Sequence, residues 1–158
     1  LKNSEKSYTF HGRDVYAYTG ARLASGVITF AEVGRQLPAE VVTIAYQKPS
    51  YRDGVVLGNI EILDPQFGNI WTNIDRETFA KLGLEPGDNL SIEISEGERI
   101  VLRQSLPYFR MLGKVPLGKP LLYLNSLNRV SLALNQGNYA ASFGIASGPD
   151  WNLKISKD

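Results

Sequence analysis

His11 is the only histidine in the chain, and it stands in the run Thr9-Phe10-His11-Gly12-Arg13-Asp14, between a bulky aromatic residue and a glycine. An imidazole titrates unaided near neutral pH, which suits this position to accept a proton or to hold a water molecule. A lone histidine ahead of a helical pattern also serves as a surface or helix-capping residue, and the hexapeptide alone leaves both readings open. Further along come Asp64, Phe67-Gly68-Asn69-Ile70-Trp71-Thr72-Asn73-Ile74, Tyr123-Leu124-Asn125-Ser126 and Leu134-Asn135-Gln136-Gly137-Asn138. The Asn69 amide offers a donor and an acceptor on one group, which is useful when both are engaged. Phe67-Gly68-Asn69 also reads as a β-turn with Asn69 left-handed, and Trp71 as a barrel core residue.

Composition removes several classes of chemistry. The chain has no cysteine, and so no disulfide, thiolate metal site or cysteine nucleophile. Its 17 basic and 16 acidic residues leave a net charge of +1, no footprint for nucleic acid or an anionic membrane. No apolar run approaches the ~20 residues of a membrane helix. Gly113-Lys114 and Gly118-Lys119 lack the spacing and the following Ser or Thr of a phosphate-binding loop.

The elements that must position these residues change character near residue 40. Arg13 to Ala24 carries Val15, Tyr16, Tyr18, Thr19, Arg22 and Leu23 at near-helical spacing, and Ser25-Gly26 supplies a stop. Phe30 to Leu37 admits a second short turn. From Leu37 to Gly54, Pro38, Pro49, Ser50 and Asp53-Gly54 read as a connecting stretch. Strand patterns follow over 55–63, 70–74, 90–95, 99–104, 120–125, 129–134 and 151–156, separated by turn signals such as Glu85-Pro86-Gly87-Asp88. Short helices are expected over 75–82 and 138–143, the first opened by Asp75 and Glu77. The expectation is an α+β chain in which the end of an α/β domain (1–40) and a linker (41–54) precede a mainly antiparallel seven-stranded β-barrel (55–158).

Taken in order, the Phe10-His11-Gly12-Arg13-Asp14, Gly58-Asn59-Ile60 to Ile74, Tyr123 to Ser126 and Ser131 to Asn138 motifs resemble the S-adenosylmethionine (SAM) hydrolase family, also called SAM hydroxide adenosyltransferase. Its close relatives are the SAM-dependent fluorinases and chlorinases. The resemblance implies attack of water at C5′ of SAM to give adenosine and methionine, with SAM as substrate and no metal or cofactor. It implies that His11 is catalytic, orienting the water with an Asp and an Arg. Family members carry those partners in a preceding N-terminal segment, so the chain is expected to be the C-terminal portion of a longer protein and inactive alone. The halogenating relatives carry tyrosine at the position of His11, and the fluorinase has serine at that of Gly12, which argues here for water over halide.

By the same resemblance, Phe10, Gly12, Asp64, Phe67, Asn69, Trp71, Leu112, Ser126, Leu134, Asn135 and Gln136 bind substrate. Asn69 pairs with adenine or the amino-acid end, and Trp71 lies beside the methionine portion. Leucines stand at 127 and 134 where the fluorinase has arginines, and Leu112 stands near an adenine-stacking aromatic, with Phe109 as a substitute. The implied assembly is a homotrimer with the site between subunits, in the cytoplasm, without nucleic-acid or membrane partners. A SAM-dependent halogenase and a non-catalytic adenosine- or nucleotide-binding barrel module are the alternatives.

Overall fold

The computed structural model describes residues 9–43 and 46–158. The chain divides into two compact units, residues 1–44 and 45–158. In the first, Gly12–Ala17 winds as a π-helical turn and continues into α1 (Tyr18–Ala24). Its end is closed by Ser25, whose Oγ donates to the Arg22 carbonyl at 3.1 Å, and by left-handed Gly26. A 3-10 turn at Phe30–Glu32 follows, held by a reciprocal capping box in which Thr29 N and Oγ1 donate to Glu32 Oε2 at 2.7 and 2.8 Å. Those hydrogen bonds hold the Glu32 carboxyl below its ordinary pKa.

The second unit is built from strands. They are β1 (Ser50–Arg52), β2 (Val55–Leu63), β3 (Ile70–Asp75), β4 (Asn89–Glu96), β5 (Arg99–Pro107), β6 (Pro120–Leu124), β7 (Arg129–Leu134) and β8 (Trp151–Lys157). Seven of them run in the antiparallel order β5-β4-β8-β2-β3-β7-β6. A bridge between Tyr108 and Leu122 joins the two ends, so the sheet is a nearly closed barrel. Period-two alternation fixes the register: Leu90, Ile92 and Ile94 of β4 and Leu153 and Ile155 of β8 are buried, with polar residues between them. The core also holds Ile60, Ile70, Ile74, Leu122, Val130, Leu132 and Tyr139.

The stretch expected to be linker contains a strand. Asp53 and Gly54, at φ 50° and 79°, form a two-residue turn, and β1 pairs back on β2 from Ser50↔Leu57 to Arg52↔Val55. An Asp-Gly pair with both residues left-handed matches the twist of a tight hairpin, so the signal that reads as a break is the turn itself.

Two short helices close the barrel loops: α2 (Arg76–Ala80), capped by the Asp75 carboxylate on Thr78 N at 2.7 Å, and α3 (Tyr139–Phe143). Residues 108–117 lay a second, smaller cover over β6 and β7, where Val115, Leu121 and Ala133 pack with Phe109 and Tyr123. Leu121 pairs with Ala133 in register, whereas Leu122 and Leu132 point into the main core.

Candidate functional site

A cavity of about 550 Å³ opens at the end of the barrel where β2 finishes, β3 starts and β7 finishes. Each wall has an identifiable cause. The loop between β2 and β3 is folded by Asp64: its Oδ1 accepts from Gln66 N at 2.9 Å and Phe67 N at 3.3 Å, and its carbonyl accepts from Gly68 N at 2.7 Å. Asp64 N donates to the Asn69 carbonyl at 2.9 Å, closing the loop and leaving Phe67 57% exposed at its tip. The left-handed residue is Gly68 (φ 66°), not Asn69. A Cβ at Gly68 would lie 2.0 Å from the Asn138 side chain, so the glycine also permits α3 to dock. Its carbonyl accepts from Ala140 N at 3.0 Å, and Asn138 caps the helix through Ala141 N at 2.7 Å.

The opposite wall is the turn after β7. Gly137 N donates to the Leu134 carbonyl at 3.2 Å, and Gln136 is left-handed at φ 56°. Asn135 is pinned by Lys119 O, Gly118 N and, through Nδ2, Val115 O at 2.7 Å. The lining residues are Gln66, Phe67, Asn69, Leu112, Leu134, Asn135, Gln136, Gly137 and Asn138. Five side-chain amides and three apolar side chains therefore face a space with no charged lining residue. Such a surface suits a neutral, flat ligand with hydrogen-bonding edges, because an ionic group would find no counter-charge among these residues.

Beside the cavity runs a polar row across the outward face of the sheet: Trp71 pairs with Ser131, and Ser131 with Tyr123. Trp71 is thus outside the barrel core. Asn125 Nδ2 donates to Ser131 Oγ at 3.0 Å, while its Oδ1 accepts from Leu127 N and Arg129 N. Burial, aided by Asp64, raises the Tyr123 phenol above its ordinary pKa against the opposing effect of Ser131, Trp71 and Asn69, so it stays a neutral donor. Trp71 Nε1 is buried beside it without a hydrogen bond of normal geometry.

Of the residues expected to bind substrate in this unit, Phe67, Asn69, Leu112, Leu134, Asn135 and Gln136 come together in the cavity. Asp64 builds the loop behind them. Ser126 is exposed in the β6–β7 turn, at the other end of β7 from Leu134. Phe109 packs into the outer cover with Val115 and Leu121 and is not among the lining residues. Gln66, Asn138, Tyr123 and Ser131 had no role from sequence; Asn138 is legible as a helix cap, and Tyr123 and Ser131 only through the register. In the first unit, His11 is exposed at the start of the π-turn with no capping hydrogen bond. Phe10 carries the Arg13 guanidinium 4.9 Å from its ring centre, and Arg13 makes a double hydrogen bond to Asp14 on the far side of Gly12.

Comparison with known proteins supplies the family. Residues 58–152 match the SAM hydroxide adenosyltransferase C-terminal domain. A fluorinase of Actinoplanes sp. is 35% identical over 92% of this chain and 48% of its own length. An (R)-S-adenosyl-L-methionine hydrolase of Thermus thermophilus is 31% identical over 89% of this chain and 47% of its own length. The chain thus spans about half the length of these relatives. An uncharacterised conserved protein of Thermotoga maritima superposes with a TM-score of 0.72 at 28% identity, over 96% of this chain and 54% of its own. With a family match across most of the barrel and a cavity lined by that domain's residues, the chain belongs to the SAM hydroxide adenosyltransferase family.

Proposed function

We propose that the protein containing this chain is a SAM hydrolase in which the amide-lined cavity takes the adenine end of the substrate. The uncharged lining of Asn69, Gln136 and their neighbours between Phe67 and Leu134 carries this reading. From the cavity, the Trp71–Ser131–Tyr123 row leads along the sheet toward the turn that bears Ser126, an extended path for a ligand whose polar ends are far apart. Water oxygen attacks C5′, the C5′–S bond breaks, and its electron pair neutralises the sulfonium to leave methionine. The leaving group needs no protonation, so the protein's task is to align a weak nucleophile and exclude competing solvent. His11 orients that water and accepts its proton, with the Asp and Arg that the family resemblance supplies from a preceding segment.

Identity does not decide between water and halide, because fluorinases at 32–35% and the hydrolase at 31% are about equally similar. The His11-Gly12 pair favours water: imidazole accepts a proton near neutrality, whereas a phenol with a pKa of about 10 does not. The proposal includes a cytoplasmic homotrimer whose site joins His11 of one subunit to the barrel of the next. Among the described residues no helix is long and apolar enough to cross a membrane.

Chromatography of products made by the full-length protein from SAM, with chelator and halide salts present, tests the reaction. Adenosine and methionine are expected, and His11→Ala should lower turnover by about 10²–10⁴ with adenosine affinity retained. A 5′-halo-adenosine in preference to adenosine would establish the halogenase, and bound adenosine without turnover would favour a binding module. Mixing His11→Ala with Asn69→Ala subunits should restore activity in part if the site spans two chains.

A further inference from the structure

We infer that the cavity also takes phosphorylated adenosines, with the base inside and the phosphates on a basic rim formed by Arg110, Lys114 and Lys119. The inference rests on the reading that this cavity takes the adenine end of a ligand. The near-zero net charge hides a segregation along the chain. Residues 53–98 carry ten acidic side chains and two basic ones, whereas residues 99–149 carry no acidic side chain and six cations, Arg99, Arg103, Arg110, Lys114, Lys119 and Arg129. This second stretch supplies β5, β6 and β7, which are neighbours through the Tyr108–Leu122 bridge. One arc of the barrel wall therefore has no carboxylate of its own.

Three of the six cations are engaged. Arg99 and Arg103 meet Glu96 and Glu93 across the β4–β5 hairpin at 2.5 and 2.7 Å, and Arg129 donates to the Asn73 carbonyl opposite Asp75. The remaining three, Arg110, Lys114 and Lys119, are exposed, and among the described residues their side chains make no hydrogen bond or ion pair. All three fall on the segment that walls the cavity. Leu112, a lining residue, lies two positions from both Arg110 and Lys114, and the Lys119 carbonyl accepts from the N–H of Asn135, another lining residue, at 3.0 Å. Gly118 N donates back to the Asn135 carbonyl at 2.8 Å, which fixes the backbone of Lys119 against that wall. SAM has a neutral adenosine part and a cationic sulfonium, and its carboxylate belongs to the far end of the Trp71–Ser131–Tyr123 path, so it leaves these three cations unused. A phosphate on the ribose of a base held in the uncharged cavity would use them: lysine binds phosphate as a point charge and needs no glycine-rich loop to do so.

The test is calorimetric titration of this chain with adenosine, ADP, 3′-AMP and UDP at low and at physiological salt. At low salt ADP or 3′-AMP should bind about tenfold tighter than adenosine, the better of the two showing which side of the ribose faces the rim. The gain should shrink as salt is raised, and UDP should not share it. The double substitution Lys114→Gln with Lys119→Gln should bring the favoured nucleotide down to the affinity of adenosine, while adenosine itself binds as before. Arg110→Gln alone should remove part of the gain. Equal affinity of wild type for adenosine and both its phosphorylated forms, UDP binding as tightly as the favoured nucleotide, or a gain that survives the double substitution overturns the inference and leaves the cavity reading intact. Loss of adenosine affinity in the double variant overturns it too, because the lysines would then belong to the wall and not to a phosphate rim. If wild type binds none of the adenine compounds, the cavity reading falls and this inference with it.

Discussion

The two units differ in what holds them together. Every buried hydrophobic residue among the described ones lies between Val56 and Ile155, and none of residues 9–43 is buried. Phe30, Leu37 and Tyr16 are 86%, 71% and 71% exposed. Residues 12–24 are helical through local hydrogen bonds, a length that is marginal in water without an apolar face to pack on. The barrel, by contrast, combines a continuous ladder with two apolar layers, and its cavity is assembled from loops anchored to that ladder. The amide-lined cavity and His11, proposed as its catalytic partner, therefore belong to regions of very different self-sufficiency.

Cutting the chain between the units gives the largest contrast. Residues 45–158 should unfold in one cooperative thermal transition, while a peptide of residues 1–44 should show little helix by circular dichroism. A strongly helical peptide would erase the comparison. Within the intact chain, Ile92→Ala in the core should cost about 2–5 kcal/mol in denaturant titration, against under about 0.5 kcal/mol for Phe30→Ala. Gly68→Ala should be costly at the cavity itself, about 1–3 kcal/mol, since it meets both a left-handed backbone and the Asn138 side chain, and it should weaken adenosine binding as well.

Within the barrel, the smallest effect is a matter of pH. Burial pushes the Asp75 carboxyl up, but hydrogen bonds from Thr78 N and Oγ1, together with Arg129, outweigh it and hold the pKa below the ordinary value. A depressed carboxyl stabilises the fold fully above the ordinary carboxylate range and loses that contribution as pH falls through its folded value. Asp75→Ala should therefore cost about 1 kcal/mol at neutral pH, shrinking toward acid pH, as read from melting curves across the range.

Most of the barrel is legible in sequence because its strands alternate: Leu90, Ile92 and Ile94 announce β4, and Arg129 to Leu134 announce β7. β1 is hidden because Pro49 and Asp53-Gly54 look like linker chemistry until the turn is seen to return the chain onto β2. The cavity is legible in part. Phe67, Asn69 and Gln136 stand out by motif, whereas Asp64 acts through an Asx-type turn, its carboxylate accepting from the loop backbone two and three residues on. The outer cover of residues 108–117, which takes Phe109 away from the cavity lining, depends on packing between distant segments and has no periodic signature.

Titration of isotope-labelled chain with adenosine, followed by NMR, decides whether the amide-lined cavity takes the adenine ring as proposed. The side-chain amide signals of Asn69, Gln136 and Asn138 should shift together and saturably, while those of Asn59 and Asn152, joined in a separate buried network on β2 and β8, stay in place. Shifts confined instead to the charged recess of Asp75, Arg76 and Arg129 would place the nucleoside outside this cavity.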